Sequence, residues 1–325
     1  MNAPAVPAVS VVIPTFQRCT SVRRALRSLG RQTLPADAYE VIVSVDGSDD
    51  GTVEMLAGEC AHARLRTIRQ AHRGRAAARN AGACAARGGL LVFLDDDMEA
   101  SPGLLAAHVA AHQAGGVPAG RAVVGAAPIV SDTSSPLAAY LARAFQERLD
   151  TLARPGRPVG FHEAYTGNLS VERSTLLQLG GFDESFRLYG HEDYEFALRL
   201  AAAGVRLEFC PEALATQHQE KSFRDVARDT IARGRTAVQF VRKHPDAIDA
   251  LKLGRFDAET RKWRLLRSAL LRLSGTFDRT PELVIGLVSR LEARRPRRLD
   301  RYYTMALDYC YWAGVQAARR EEPRT

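Results

Sequence analysis

Four short predicted strands alternate with helix-spaced segments over the first third of the chain, and this alternation restricts the fold more than any other feature. The predicted strands are Val9–Pro14, Tyr39–Asp46, residues 64–68 and Leu90–Leu94. The first, second and fourth are mainly apolar, as expected for strands buried on both faces. Strands that alternate with helices predict an α/β fold with a mainly parallel sheet flanked by helices.

The remainder of the chain predicts a larger α/β domain and a helical appendage. Residues 1–220 are assigned to the first domain, with halves 8–100 and 101–220, and residues 221–325 to the second. The pattern in the second half predicts helices at 102–114, 136–149, 173–179 and 191–203, strands at 123–130 and 205–209, and a loop at 153–160. Gly167-Asn168-Leu169-Ser170 precedes the predicted helix at 173–179. From Ser222 onward the pattern is helical, with breaks near His244-Pro245, Gly254, Gly275 and Arg295-Pro296.

Positive charge is concentrated in the last third of the chain. Residues 220–325 contain 24 Lys and Arg against 14 Asp and Glu, whereas the whole chain has a net charge of +8. Such an appendage suits an anionic partner, such as a membrane surface, a phosphorylated acceptor or nucleic acid. Well-solvated Arg-rich helices would give the same composition. No recognised nucleic-acid motif or stacking platform is present, so we expect no nucleic-acid partner.

The pattern of cysteines and the length of the apolar runs indicate the cellular compartment in which we expect the protein. The five cysteines are odd in number, scattered and without a CxxC pair: Cys19, Cys60, Cys84, Cys210 and Cys310. This pattern argues against a disulfide framework or a zinc site. The N-terminus shows no signal-peptide pattern, and no apolar run approaches the roughly 20 residues that span a bilayer. We therefore expect a cytoplasmic protein, or one peripheral on the inner face of the membrane.

Carboxylates stand where two predicted strands end. Asp46 closes the second strand, and Asp95-Asp96-Asp97 follow the fourth. Ligands bind outside the carboxyl ends of parallel strands, and adjacent carboxylates suit Mg²⁺ or Mn²⁺. If the chain leaves the strand extended, Asp95 and Asp97 point in one direction and Asp96 in another. The alternative is an acidic loop that caps a helix before Ser101-Pro102.

An ordered set of motifs resembles the family 2 glycosyltransferases, which have the GT-A fold. The motifs are VSVVIPTFQR, YEVIVSVDGSDDGT, AARNAG, LLVFLDDD, GNLSVERSTLLQLGGFDESF and GHEDYEFALRL. They cover about residues 8–220, roughly two thirds of the chain. Each motif alone is weakly specific, whereas their order and spacing together are specific.

The resemblance implies a nucleotide pocket lined by Pro14, Thr15 and Phe16, with Asp46 hydrogen-bonded to the base, usually uracil. A carboxylate can accept a hydrogen bond from a ring N–H. Family members often have two aspartates before the Gly-Ser turn, and here the first is Val45. A purely structural role for Asp46, as a turn residue, is the alternative.

The resemblance also implies donor contacts further along the chain. Arg79 would approach the donor phosphates, although it could be a surface arginine. Asp97 would bind the metal directly, Asp95 would contact the ribose or the metal, and Asp96 belongs with the donor-binding residues. His218 would be a third metal ligand, or else a packed or surface histidine.

His191-Glu192-Asp193 opens a predicted helix. By the same resemblance Asp193 is the catalytic base and Glu192 orients the acceptor or the donor sugar. Acidic residues are also favoured in a first helical turn by the helix dipole alone, which is the alternative.

These features predict an inverting glycosyltransferase that uses Mn²⁺ or Mg²⁺. The predicted donor is a nucleotide diphosphate sugar, UDP-sugar by preference. The predicted acceptor is a hydroxyl of a glycan, a lipid-linked molecule or a small molecule. One alternative is a nucleotidyltransferase, which would need a Gly-rich loop where Pro14–Arg18 stand. The other is a non-catalytic sugar-nucleotide-binding domain.

The basic amphipathic segment 261–272 could lie on an anionic bilayer, so peripheral membrane contact through 255–325 is considered together with simple packing on the catalytic domain.

Overall fold

A computed structural model describes residues 6–58, 64–114, 120–130, 135–258, 260–294 and 298–321. The chain divides into two compact units. The first comprises Met1–Asp132, Ala142–Arg187 and Glu192–Gln219. The second comprises Thr133–Leu141, Leu188–His191 and Glu220–Thr325. The sequence predicts a single boundary after residue 220, whereas two earlier segments also belong to the second unit.

A seven-stranded sheet forms the centre of the first unit. Its strands in chain order are β1 (Val9–Thr15), β2 (Tyr39–Asp46), β3 (Leu65–Gln70), β4 (Leu90–Leu94), β6 (Arg121–Gly125), β8 (Asn168–Glu172) and β9 (Arg206–Cys210). Their spatial order is β3-β2-β1-β4-β8-β6-β9. All neighbouring pairs are parallel except those made by β8, which is antiparallel to both β4 and β6. The predicted α/β class is thus confirmed.

Strand β8 occupies a segment for which the sequence predicts no strand. Asn168 pairs with Leu94 and Leu169 with Phe93, so the segment fills the middle of the sheet. The segment mixes polar and apolar residues, so its sequence shows no strand pattern. The polar residues Asn168 and Ser170 are nevertheless buried in the sheet, because they form hydrogen bonds.

A second, three-stranded sheet has the order β5-β10-β7. It contains β5 (Met98–Ala100), β7 (Ile129–Val130) and β10 (Ala215–His218). Thus the predicted strand 123–130 is interrupted between β6 and β7. Gln217 pairs with Met98 in antiparallel register, so this small sheet places β10 beside the residues that follow the acidic triplet.

Helices cover both faces of the large sheet. The helices before residue 220 are α1 (Cys19–Leu29), α2 (Thr52–Gly58), α3 (Arg75–Ala85), α4 (Leu104–Gln113), α5 (Pro136–Leu152), α6 (Arg173–Gln178) and α7 (Glu192–Ala202). Alternate residues of β1 face opposite cores: Val11 and Ile13 belong to one apolar cluster and Val12 to the other. A Cβ on Gly82 of α3 would lie 2.4 Å from Val12 Cγ1, so glycine permits the close approach of α3 to the sheet.

The second unit is helical. Its helices are α8 (Phe223–Lys243), α9 (Arg261–Thr276), α10 (Thr280–Arg294) and α11 (Leu299–Arg320), with 3₁₀ turns at Pro245–Ala250 and Lys252–Ala258. Leu137 belongs to the same apolar cluster as Phe223, Ile285 and Tyr303. Helix α9 ends at Thr276, next to Gly275, where the sequence predicts a break.

Helices α8 and α11 make backbone contact through a pair of glycines. A Cβ on Gly234 would lie 2.0 Å from the carbonyl oxygen of Tyr311, and one on Gly314 would lie 2.0 Å from that of Ile231. Any larger residue would therefore push the two helices apart.

A buried ion pair ties α9 to α11. Arg267 Nη1 and Trp263 Nε1 each donate to Asp308 Oδ2 at 2.7 Å. Burial favours the neutral acid, but Lys252, Arg267 and Trp263 outweigh it and lower the pKa of Asp308. The face of α9 that carries Trp263 and Arg267 is therefore directed into the second unit.

Within the described ranges, the model contains no helix that is long and apolar enough to cross a membrane. Cys19, Cys84, Cys210 and Cys310 are free thiols, and Cys60 lies outside the described residues.

Candidate functional site

The acidic triplet forms a tight turn at the end of β4. The backbone N–H of Met98 donates to the carbonyl of Asp95 at 3.1 Å, so the chain turns immediately. The extended exit that the sequence suggested is wrong, and so is the idea that Asp95 and Asp97 share one direction as alternate residues of a strand. Instead each carboxylate has a different partner.

The partners of the triplet come from three elements. Asp95 Oδ1 accepts from Arg79 Nη2 of α3 at 2.9 Å. Asp96 Oδ2 accepts from the Thr15 hydroxyl at the end of β1 at 2.8 Å. Asp97 lies 3.7 Å from Arg18 Nη1 and accepts weakly from Gln217 Nε2 of β10 at 3.3 and 3.4 Å. The sheet order, which places β4 beside β1, brings these partners together.

Crowding raises the proton affinity of two of these carboxylates. Burial, reinforced by the charge of Asp97, raises the pKa of Asp96 to about 7. Burial and then the charge of Asp95 also raise the pKa of Asp97. The nearby Arg18 offsets part of this effect for both residues. Positive charge placed at the triplet would therefore stabilise its ionised form.

Arg79 connects the triplet to the start of α7. Its side chain is 1% exposed, with Nη2 on Asp95 and Nη1 on Glu192 Oε1 at 3.0 Å. Burial opposes the charged form, but Asp95 and Glu192 outweigh it and raise the pKa of Arg79. This burial contradicts the alternative that Arg79 is a surface arginine. Arg79 is a buried bridge between two acidic groups.

Glu192 and Asp193 occupy the first turn of α7, as the sequence predicts. Glu192 is buried, and its Oε2 is one of the buried atoms without a hydrogen-bond partner among the described residues. Asp193 is half-buried, and its Oδ1 accepts from the Tyr194 N–H at 2.9 Å. The backbone just before the helix has positive φ at Gly190 and at His191, a conformation that favours glycine and fixes where α7 starts.

Asp46 accepts four contacts from the last residue of β3 and the loop that follows it. Gln70 Nε2 and the Arg73 N–H donate to Oδ1 at 2.7 and 2.8 Å. The Gly74 N–H donates to Oδ2 at 2.8 Å, and His72 Nδ1 lies 2.9 Å from the same oxygen. A carboxylate has about four acceptor sites. Asp46 thus holds the loop that leads into α3, and a base could contact it only by replacing one of these partners.

Phe16 forms a stacked pair with His72. The ring centroids are 4.2 Å apart, and both side chains are exposed on one side. Pro14 and Thr15 are buried at the end of β1, directly before Phe16. His72 was not among the residues chosen from the sequence, because its role depends on a stacking partner that is distant along the chain.

His218 lies beside the triplet but its ring is directed elsewhere. Its backbone N–H donates to the carbonyl of Asp97, whereas ring Nε2 lies 2.9 Å from Glu99 Oε2. Gln217, the preceding residue, presents its side chain to Asp97 instead. In the described parts of the chain, no three His, Cys, Asp or Glu side chains form a ready-made metal site. The predicted set of Asp95, Asp97 and His218 is therefore not assembled.

The triplet still fits a divalent cation. Mg²⁺ and Mn²⁺ are often held by one or two carboxylates together with substrate phosphates, so a three-residue protein cage is not required. Asp97 suits this role because burial and a neighbouring charge disfavour its ionised form in the absence of added positive charge. Asp95 lies beside it, and its Oδ1 accepts from Arg79 Nη2 at 2.9 Å.

Comparison with known proteins gives consistent matches. Residues 10–157 match the family described as Glycosyl transferase family 2, and residues 148–222 match the one described as N-terminal domain of galactosyltransferase. The chain is 31% identical over 273 residues to Validoxylamine A glucosyltransferase of Streptomyces hygroscopicus subsp. jinggangensis (strain 5008). That match covers 76% of this chain and 63% of the relative, so the chain spans less than two thirds of the relative's length.

Solved structures show the same fold. Mannosyltransferase PcManGT from Pyrobaculum calidifontis, in complex with GDP-Man and Mn²⁺, matches with a TM-score of 0.64 and 22% identity over 98% of this chain and 90% of that one. S. aureus TarS 1-349 in complex with UDP-GlcNAc matches with a TM-score of 0.55 and 14% identity over 98% and 93% of the two chains. The central sheet and its flanking helices therefore have the GT-A arrangement.

Proposed function

We propose that this chain, which belongs to glycosyltransferase family 2, transfers a sugar from a nucleoside diphosphate sugar to an acceptor hydroxyl with inversion of configuration. One observation carries the proposal: Arg79 joins the acidic triplet after β4 to the Glu192-Asp193 pair at the start of α7. The first group suits a diphosphate with its cation, and the second suits a hydroxyl that must lose a proton. Their connection through one buried guanidinium supports a single reaction site.

Donor binding is assigned to the edge of the sheet at β1, β2 and β4. The exposed Phe16–His72 pair offers an aromatic surface on which a base can stack. Pro14, Thr15, Asp46 and Asp96 shape the pocket beneath it, Thr15 through its hydrogen bond to Asp96. We assign a UDP-sugar as donor, with Asp46 reaching the base when His72 leaves its carboxylate. The solved neighbours are complexes with GDP-Man and with UDP-GlcNAc, which supports the nucleoside diphosphate sugar class.

A divalent cation, Mn²⁺ or Mg²⁺, is assigned to Asp97 with a contribution from Asp95. When bound, it neutralises the negative charge that develops on a departing diphosphate. The raised pKa of Asp97 supports the assignment, because added positive charge removes the cause of that rise. His218 could complete the ligand set only by exchanging its contact with Glu99. The Mn²⁺ in the PcManGT complex is consistent with a divalent cation in this fold.

The chemical step is assigned to Asp193. Its carboxylate takes the proton of the acceptor hydroxyl while the hydroxyl oxygen attacks the anomeric carbon, and the bond to the nucleoside diphosphate breaks in the same displacement. A single displacement inverts the anomeric configuration. Glu192 is fixed by Arg79, so it can orient the acceptor or the donor sugar through its second oxygen, Oε2.

The decisive experiment is Asp193→Asn in the full chain, assayed by UDP release from a panel of UDP-sugars with Mn²⁺. General-base catalysis contributes about 10² to 10⁴ in rate, so we expect at least a hundredfold loss of turnover with donor affinity unchanged. The matched control is Asp37→Asn, which makes the same change at an exposed site. Turnover at the wild-type rate in Asp193→Asn refutes the base assignment. Donor binding with no turnover in the wild type would favour a non-catalytic binding domain.

Chelation tests the cation separately. Excess EDTA should abolish UDP release, and Asp97→Asn should weaken donor binding in Mn²⁺ while leaving the fold intact. Undiminished release in EDTA excludes the metal role. The configuration of a transferred sugar, read by NMR of the product, tests inversion, since retention would require an enzyme nucleophile.

A further inference from the structure

Helix α9 presents two chemically different faces. Trp263 and Arg267 point toward Asp308, and Leu270 and Leu271 pack against the apolar core of the second unit. The opposite face is exposed and alternates cations with leucines at helical spacing: Arg261, Lys262, Leu265, Leu266, Arg272 and Leu273. Leu265 is 66% exposed, although it has the same side chain as the buried-face leucines. Trp263, Leu270 and Leu271 therefore lie on the face that packs into the second unit.

The next helix continues the same chemistry. Phe277, in the turn between α9 and α10, is 62% exposed, and Leu283 of α10 is 71% exposed. Leu287, Arg290 and Arg294 follow Leu283 at spacings of four, three and four residues and are also exposed, so they share its face. We call these exposed residues of α9, the turn and α10 the basic–apolar face.

The charge of this face is almost entirely positive. The sequence of α9 contains no Asp or Glu. In the turn and α10, Asp278 is exposed, whereas Glu282 is paired with Arg224 and Arg228 of α8 at 2.6 and 3.3 Å. A face on which leucines and an aromatic ring are interleaved with side chains of positive charge is typical of a helix that lies in the plane of a membrane surface.

We propose that the basic–apolar face docks the protein on an anionic lipid bilayer. The leucines and Phe277 would enter the boundary between headgroups and acyl chains, and the cations would contact lipid phosphates. A second copy of this chain fits less well, because a twofold interface brings the same patch against itself and would oppose cation to cation. The inference is independent of the proposed function, since it uses no residue of the donor or acceptor site.

The experiment is co-sedimentation of the full chain with vesicles. Vesicles of phosphatidylcholine alone are compared with vesicles that also contain phosphatidylglycerol, at low and at physiological salt. Each cation near an anionic surface contributes about 1 kcal/mol, so Lys262→Glu/Arg272→Glu should weaken binding at least thirtyfold. Arg23→Glu/Arg27→Glu is the matched control, because it reverses two exposed cations on α1. Leu265→Ser is compared with Leu177→Ser, an exposed leucine of α6.

Support requires binding to the anionic vesicles that falls with salt, is lost in Lys262→Glu/Arg272→Glu and Leu265→Ser, and persists in both controls. The thermal melting of every variant is measured to show that it is folded. Four results overturn the proposal. They are no pelleting of the folded wild type, equal losses in the test and control variants, dimerisation in solution that the Leu265→Ser change abolishes, and tighter binding to a DNA duplex than to vesicles.

Discussion

Arg79 Nη1 lies 3.0 Å from Glu192 Oε1, and this buried contact fixes the first turn of α7 against α3. The other terminal nitrogen of Arg79 holds Asp95. We infer from this burial, with 1% of its side chain exposed, that Arg79 positions these two carboxylates.

Arg79→Lys should therefore lower kcat about a hundredfold, with a much smaller effect on donor affinity. A lysine keeps the charge but cannot hold two carboxylates in the planar geometry of a guanidinium, and small displacements of catalytic groups cost about this much. Turnover and calorimetric donor binding measure the two effects. Arg69→Lys on β3 is the control, since Arg69 is exposed. A loss confined to donor affinity would return Arg79 to the role of a phosphate ligand.

Phe16→Ala should weaken UDP binding by about 1–3 kcal/mol, the usual contribution of one base stacked on an aromatic ring. Phe16→Tyr retains the ring and should bind UDP like the wild type. Phe277→Ala removes an exposed phenylalanine of the second unit and serves as the control. Isothermal titration with UDP and Mn²⁺ is the measurement, and equal affinity for Phe16→Ala and wild type would remove the base from the Phe16–His72 surface.

Acid should destabilise the protein through His108. Its Nε2 lies 2.9 Å from Asn168 Oδ1 and its Nδ1 lies 2.8 Å from Ser170 Oγ, so both nitrogens are engaged beneath β8. Burial is the main cause that lowers the pKa of His108 to about 4, and His112 adds to it. The unfolded chain takes up the proton near pH 6.5, whereas the folded protein resists it until about pH 4.

The free energy of unfolding should thus be complete above pH 6.5 and fall as the pH drops toward 4. One such histidine contributes a slope of up to about 1.4 kcal/mol per pH unit within that window. Urea unfolding at several pH values measures the slope, and His108→Gln should reduce it. An identical slope in this variant would contradict the assignment.

Gly314→Ala should destabilise the second unit by about 1–3 kcal/mol, because the added Cβ would meet the Ile231 carbonyl at 2.0 Å. Gly286→Ala on α10 is the control, because it makes the same substitution in a helix where nothing lies within 4 Å of the added Cβ. There the better helix propensity of alanine should stabilise by up to about 1 kcal/mol. Thermal unfolding of the two variants should shift in opposite directions, and equal shifts would show that the α8–α11 contact is not tight.

The sequence predicts the first half of the sheet well, because β1, β2 and β4 are apolar runs with periodic helices between them. It predicts the fold family and places Asp95–Asp97 at the end of β4. It fails for β8, whose Asn168 and Ser170 are buried through hydrogen bonds that depend on His108. It also fails for the partners of Arg79, because Asp95 and Glu192 approach each other only after the sheet and α7 have formed.

The short strands β5 and β10 illustrate a different limit. Their three and four residues are too few to show a period, and yet they decide that Gln217 rather than His218 presents its side chain to Asp97. Side-chain direction along a strand reverses at each residue, so an error of one position changes the candidate ligand. Such a choice depends on register, which pairing between distant segments determines.

Leu137 lies in the core of the helical unit, where the rings of Tyr140 and Tyr303 are tilted against each other with centroids 5.4 Å apart. During synthesis on the ribosome, this apolar stretch emerges long before α11 exists, so its burial must wait until α11 (Leu299–Arg320) has been made. A shortened chain that stops after Gln219 would leave Leu137, Tyr140 and Leu141 without their burial partners. Expression of such a fragment should favour aggregation, and chaperone demand during translation should be concentrated on this stretch.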